Sequence, residues 1–582
     1  VIILARILHR LLFTSRIHLM HVSSPAPDCY RLTVVLLLMA FMLPDQAGTA
    51  APVEPVQNCD AGDKHCTFPS DLLLEEAGAV VGSIIFVRQN VFDISQPSEN
   101  NALYRLANSL HVITRETVIR SQLLFREGDS YSRRLLDESE RLLRKNDYIY
   151  DAKISPVRHA DGSVDIVVST RDVWTLSLEV SLSRTGGENK SRIGMSEENL
   201  LGRGMAVAVS FEDNVDREST RLAFADSNLF NSWTSLNLVL HDSSDGDSQR
   251  LRIQRPFFAL NTPWAAGGSL FNDDREERIY DLGDPIAGYR KETNYHVLFG
   301  GLSAGLRNGW VRRWTTGLIY NVAAFSPIVD STIPDLIPED RHLIYPFIGF
   351  ELLEDNYQTS ANRDQIQRTE DFYFGTRFTA SLGLASKKFD SDRDALIYSA
   401  SASKGFGSMK NNALLLTSTL NGRMQGGSAE NSLFHLDARY YRQQSKKRLF
   451  YAAMYGTWGR DLDLDNHLEL GGDSGLRGYP LRYQTGDKRF LVSLEERYFT
   501  DWYPFRLFRV GFAVFADAGR TWGDNPAAGA PLGWLRDVGI GLRIAPTRAS
   551  GREIYHIDLA FPLDGDSTID NVQFLIQSKS NF

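Results

Sequence analysis

The sequence predicts a mainly β chain: a 16-stranded antiparallel transmembrane β-barrel over residues 173–582, preceded by one small α+β domain over residues 82–172. Three observations predict it. From Trp174 to Phe582 apolar and polar residues alternate with period two, as in GFAVFADAG and REIYHIDLAF. Beyond the first 50 residues no apolar run reaches the roughly 20 residues of a membrane helix, so a membrane-embedded chain must close as a barrel, because an open sheet would leave backbone groups unpaired in lipid. Between Ser83 and Ser169 the pattern is mixed and reads β-α-α-β-β.

The N-terminal 50 residues read as an address. A positive position at Arg31 meets the apolar run LTVVLLLMAFML, and the small residues Gly48, Thr49 and Ala50 follow. These are the parts of a secretory signal peptide with cleavage after Ala50; the segment before Met20 has no role in that reading. Residues 51–81, rich in Pro, Ala and acids, read as a flexible tether. Cys59 and Cys66 in NCDAGDKHC could oxidise in an exported protein, but they lack the paired clusters of a zinc site and are assigned no chemistry.

In the mixed zone SIIFVR reads as a strand, and Thr114 reads as the N-cap of a helix through RETVIRSQLLF. A second helix, YSRRLLDESERLLRKN, carries Leu135, Leu136, Leu142 and Leu143 on one face. AKISPV and SVDIVVS then form strands joined at Asp161-Gly162, a hairpin signal.

Sixteen strands would share the second zone at about 25 residues per strand and connector, with 14 or 18 left open. In GFAVFADAG, Phe512 and Val514 fall on the lipid parity, and Ala513, Phe515 and Asp517 on the lumen parity. In REIYHIDLAF, Tyr555, Ile557, Leu559 and Phe561 alternate with His556, Asp558 and Ala560. A soluble sandwich also alternates, but it would hold Asp517 and Asp558 in its core at a cost. The terminal strand VQFLIQSKSNF places Phe574, Ile576 and Phe582 in one register, with the last ring expected at the membrane interface.

The net charge of −9 is well mixed, without a basic block, which excludes a nucleic-acid partner. The segment GGDSGLRGYP poses a choice between a serine nucleophile and an anchoring arginine. Ser474 lacks the second glycine of a Gly-Asp-Ser-Gly-Gly nucleophile segment and does not fit Gly-x-Ser-x-Gly, so it reads as a turn residue. No HExxH or other metal spacing occurs among the 12 His, and no enzyme activity, metal or cofactor is expected.

Several stretches carry a likeness. VIRSQLLFREGDSY with LLRKNDYIYDAKI looks like the helical part and second strand of a polypeptide-transport-associated (POTRA) domain. LELGGDSGLRGYP looks like the barrel-loop motif built on (V/L)-R-G-(F/Y), followed by the strands SLEERYF, FADAG and HIDLAFP. From about Gly82 to Phe582 the chain resembles the BamA/TamA outer-membrane assembly superfamily.

That resemblance implies an outer-membrane protein of a diderm bacterium with its POTRA domain in the periplasm. It implies insertion or export of unfolded or extended polypeptide clients, with lipid cargo or a passive channel as alternatives, and accessory envelope proteins as further partners. It also implies a loop of Leu476, Arg477, Gly478 and Tyr479, made tight by Gly471, Gly472 and Gly475, that folds into the lumen so that Arg477 meets Glu495 and Asp517. A barrel that opens between its first and last strands is implied as well. The chain departs from BamA and TamA in having room for one POTRA domain only, and it has no patatin-type lipase domain.

Overall fold

Two periodicities divide the chain. In the computed structural model, which describes residues 71–158, 164–328, 336–524, 526, 532–565 and 569–582, the mixed zone folds into a small α+β domain and the alternating zone into a closed wall. The signal peptide, Cys59 and Cys66, the tether up to residue 70 and the Asp161-Gly162 turn lie outside the described residues.

The small domain comprises α1 (Asp71–Glu76), β1 (Val81–Gln89), α2 (Ala102–Leu110), α3 (Glu116–Arg120), α4 (Arg133–Arg144), β2 (Ile149–Arg158) and β3 (Val164–Asp172). Its sheet has the order β1-β3-β2, with β1 parallel and β2 antiparallel to the central β3. Val164, Ile166 and Val168 of β3 alternate into the core with Leu136 and Leu143 of α4, while Leu135 and Leu142 are only half-buried. α1 falls inside the stretch expected as tether, and its Leu74 is part of the same core.

Thr114 does not cap a helix. The residue before α3 is Arg115, whose side chain makes no cap bond. Thr114 Oγ1 donates instead to Asp172 Oδ2 (2.8 Å) and accepts from Asn199 Nδ2 (2.8 Å), which links the domain to the barrel.

The wall begins with β4 (Leu176–Thr185), β5 (Glu188–Glu197), β6 (Met205–Asp213), β7 (Glu218–Leu229), β8 (Thr234–Ser243) and β9 (Gly246–Arg255). It continues through β10 (Trp264–Asp281), β11 (Asp284–Arg307), β12 (Trp310–Pro327) and β13 (Arg341–Glu354). A small hairpin, β14 (Tyr357–Ser360) with β15 (Glu370–Tyr373), leaves the wall on the side of the N-terminal domain. The wall resumes with β16 (Arg377–Ala385), β17 (Ala395–Gly407), β18 (Asn412–Gln425), β19 (Ser428–Ser445) and β20 (Arg448–Arg460). The pair β21 (Leu468–Leu470) and β22 (Gln484–Gly486) brackets the GGDSGLRGYP loop on the opposite side. Then come β23 (Lys488–Phe499), β24 (Phe508–Trp522), β25 (Leu535–Pro546), β26 (Ile554–Pro562) and β27 (Gln573–Lys579).

Among the described residues twenty strands close this barrel, not the sixteen expected. The allotment of about 25 residues per strand overstated the connectors. Several far-side turns have two residues, as at Gly186-Gly187 and Gly426-Gly427, where both glycines take the positive φ that such hairpins require.

Parity sorts the two faces as the sequence suggests. Phe512, Val514, Ile540 and Leu559 are exposed on the outside, whereas Ala513, Phe515, Asp517, His556 and Asp558 are buried inside. An apolar exterior around a polar interior is the arrangement a bilayer selects. Among the described residues every neighbouring pair in the wall is laddered over at least seven positions except at one place. β27 meets β4 through a single register pair, Ile576 opposite Arg184, with one side-chain bond beside it from Gln577 Nε2 to Thr185 Oγ1 (2.8 Å). On its other side β4 is laddered to β5 along its whole length.

The hairpin of β14 and β15 turns back into the barrel mouth, and its Ile366, Phe372 and Phe374 join a core with Tyr441, Tyr451, Phe499 and Phe582. Phe582 therefore does not sit at the membrane interface. Its backbone N–H donates to Asp364 O (2.8 Å), and its ring packs on Phe499 inside the wall.

Opposed residues of an antiparallel pair stand close enough for a disulfide. Arg184→Cys with Ile576→Cys, in a chain stripped of other cysteines, is expected to crosslink under mild oxidation; failure to form the link, judged by gel mobility, would contradict this register.

Candidate functional site

The site is the inner wall of β23, β24 and β25 together with the loop from Gly471 to Tyr483. On β23 the residues Ser493, Glu495 and Arg497 share the inward parity, and on β24 Phe515 and Asp517 do. Arg477 descends from the loop onto this surface. Its Nε and Nη2 donate to Asp517 Oδ2 and Oδ1 (2.7 and 2.8 Å), a bidentate pair. Its Nη1 donates to Glu495 Oε1 (2.8 Å), and Nη2 also reaches Ser493 Oγ (3.1 Å). The guanidinium lies 3.4 Å above the centre of the Phe515 ring, and Arg477, Glu495 and Asp517 are all buried. The three residues expected to meet are therefore together.

The loop is built to deliver that side chain. Gly475 has φ +115°, and a Cβ there would lie 2.4 Å from Leu491. Gly472 packs against Gly186 of the β4–β5 turn, where an added Cβ would stand 2.9 Å from the backbone, and one on Gly471 would strike Pro480 O. Gly478 N–H donates to Asp537 Oδ2 (3.1 Å). Leu476 and Tyr479 are fully buried with Leu470, Tyr483, Leu491 and Leu535. The Tyr479 hydroxyl donates to Arg536 O (2.7 Å) and accepts from Asp564 N–H (3.3 Å), clasping the far ends of β25 and β26. Ser474 Oγ accepts from Gly471 N–H (2.7 Å), so this serine closes its own turn.

The pairing extends further than the sequence indicated. Glu495 Oε2 accepts from Arg497 Nε (2.8 Å), and Arg497 Nη1 donates to Arg363 O (2.8 Å) and reaches Asp364 Oδ1 (3.5 Å) in the inward hairpin. Asp364 also accepts from Tyr441 Oη (3.0 Å). A continuous chain of charges thus runs from the far-side loop, through the wall, to the hairpin on the domain side. Arg497 was in reach of sequence reasoning, since it lies two residues beyond Glu495 on the same face. Asp364 carried no signal, because only the tertiary fold returns its hairpin to the lumen. Beneath the loop lies a polar cavity of about 320 Å³, lined by His435, Tyr455, Arg477, Arg489 and Lys579 among others.

The hairpin is in turn fastened to the small domain. Arg144 of α4 makes a bidentate pair with Asp371 (2.9 and 2.8 Å), Arg141 lies over the Tyr357 ring, and Arg368 donates to Ile149 O (3.2 Å). Within the hairpin Glu370 accepts the backbone N–H groups of Arg363, Asp364 and Gln365. Burial, and next the Asp364 carboxylate, push the Glu370 carboxyl up to about 8, against the pull of those N–H groups.

Residues 109–171 match the POTRA family model, described as surface antigen variable number repeat. The class defined by fold and match is a POTRA domain followed by a closed antiparallel β-barrel with an apolar exterior. No curated protein matches the chain. Among solved structures, BamA from Haemophilus ducreyi lacking POTRA domains 1–3 is similar at 14% identity and a TM-score of 0.36, covering 86% of this chain and 85% of that one. CdiB from Escherichia coli is similar at 13% identity and a TM-score of 0.43, covering 86% and 76%, and CdiB from Acinetobacter baumannii at 13% and 0.41, covering 94% and 97%.

Removing Arg477 would leave Asp517 buried without its cationic partner and Glu495 with Arg497 alone, a loss of about 3–5 kcal/mol. Arg477→Ala is expected to lower the heat-unfolding midpoint in a semi-native gel shift, Arg477→Lys to recover only part of it, and Ser474→Ala to leave it unchanged. Equal behaviour of Arg477→Ala and Ser474→Ala would refute the anchor.

A raised Glu370 pKa means that the folded hairpin holds a proton which the unfolded chain releases near the ordinary glutamate value. Its contribution is full below that value and is lost as pH rises through about 8. Limited proteolysis of the hairpin should therefore quicken across this window in the parent protein and stay flat in Glu370→Gln.

Proposed function

We propose that this protein is an outer-membrane assembly or translocation factor that takes extended polypeptides at its POTRA domain and passes them to the barrel seam, without enzymatic chemistry. The observation that carries this reading is the position of the anchored loop. It holds both neighbourhoods of the seam at once, with Gly472 against the β4–β5 turn on one side and Tyr479 and Gly478 on β25 and β26 on the other. A loop so placed controls whether β4 and β27, paired at one position, stay together.

The lumen supports the same reading. The loop enters it from the far side and the β14–β15 hairpin from the domain side, and the two join through Arg497. A plain solute pore gains nothing from a receptor domain wired to an internal hairpin.

The client edge in this reading is β1. β3 is the central strand, so SVDIVVS offers no edge, whereas the outer groups of β2 are already met: Ile154 N–H by Glu140 (2.6 Å) and Ala152 O by Arg144 (2.9 Å). β1 has a strand on one side only; on the other, Val81 is met by Gly128 and Asp129 and the Ile84 N–H by Glu127, so an extended client can add along the later stretch from Phe86 to Gln89.

Two measurements test the proposal. Depletion should remove specific proteins from the outer membrane or the secretome; a change confined to solute permeability would favour a channel, and one confined to lipid asymmetry a lipid carrier. A photocrosslinker at Val87 of β1 should capture client chains, and one at Lys153 of β2 should not. Capture from β2 alone would overturn the edge assignment.

A further inference from the structure

α2 has three faces. Tyr104, Ala107 and Asn108 turn inward: Tyr104 stacks on Phe92, and Asn108 pairs with the Phe92 backbone through both its amide atoms (3.1 and 2.8 Å). Arg105 and Ser109 form a polar face. Leu103, Leu106 and Leu110, at spacings of three and four, form the remaining one, and they are 66%, 54% and 66% exposed. A short helix that leaves its leucine stripe bare while packing by another face is made to meet an apolar medium.

Its position says which medium. The Tyr104 hydroxyl donates to Phe505 O in the β23–β24 turn, and Arg548 of the β25–β26 turn donates to Val91 O (2.6 Å). Just beyond α2, Arg115 N–H donates to Gly202 O (2.9 Å) and Arg115 Nε to Leu201 O (3.0 Å) in the β5–β6 turn. The helix segment is therefore strung along the barrel rim beneath β27 and β4, between turns on either side of the seam.

Those turns carry bare apolar groups of their own: Trp502 (61%), Phe505 (77%) and Leu201 (48%), with Val112 (50%) after the helix. On the wall above, Leu178 and Val180 of β4 are exposed as well. Arg105 and Arg506 stand exposed beside the arc, as cations do next to anionic headgroups.

We propose that α2 is an interfacial helix whose leucine face lies in the leaflet on the POTRA side, so that the occupant of this surface is phospholipid and the domain is held against the membrane directly under the seam. The inference rests on the barrel spanning a bilayer but not on any client. Interfacial helices bind in this way, with the apolar face at the acyl boundary and aromatic rings at headgroup level.

The test uses the full chain with its native cysteines replaced, reconstituted in phosphatidylethanolamine–phosphatidylglycerol vesicles containing lipids brominated on the acyl chain. Fluorophores are attached to Leu106→Cys, Leu110→Cys, Ser109→Cys or, on the barrel wall, Val514→Cys. Quenching at Leu106 and Leu110 comparable to that at Val514, with Ser109 spared, is the expected result. Quenching at Val514 with none at Leu106 and Leu110 would place the helix in water or against another protein and overturn the proposal. No quenching at Val514 would remove the bilayer beneath both this inference and the outer-membrane reading. Heat-shifted gel mobility of each labelled protein checks that the barrel is intact.

Discussion

A guanidinium buried against a barrel wall must find its counter-charges within that wall, because burial strips away the hydration that would otherwise stabilise it. Arg477 meets this constraint with two carboxylates from adjacent strands and an aromatic face below it. The geometry holds only if β23 and β24 keep their register, if the loop can approach without Cβ atoms at its glycines, and if the strand parity puts Glu495 and Asp517 inward. Register, loop composition and strand parity are thus bound into one requirement. A lysine could satisfy the charge but not the fork of bonds to Asp517 and the third bond to Glu495.

The consequence reaches beyond the loop. Because Glu495 also binds Arg497, and Arg497 binds the hairpin that carries Asp364, the two intrusions into the lumen are fixed by a common set of charges. The hairpin answers to α4 of the POTRA domain through Arg144 and Asp371.

Legibility in the sequence followed the range of the physics involved. The inward faces of β24 and β26 were readable because alternation is local, and Arg477 with its two acids was readable once a likeness put the loop inside. The strand number was not, since it depends on how tightly each connector turns, and long strands such as β11 blur any even partition. Phe582 was misplaced for a different reason: parity along β27 points it outward, but the strand ends at Lys579 and Asp364 draws the last residues inward. Thr114 looked like a cap because its composition suits one, while its partners, Asp172 and Asn199, are distant in the chain.

The approach of Gly472 to Gly186 has a consequence for how such a sequence can drift. A methyl group on Gly186 would strike Pro480 and Leu481 of the loop, and one on Gly472 would strike Tyr479 O within the loop as well as Gly186 across from it. Enlarging the first position therefore requires the loop to shift, and enlarging the second requires the loop to rebuild its own turn as well. The permitted variation at the mouth of this barrel is set jointly by its opening strands and by a loop encoded near its end.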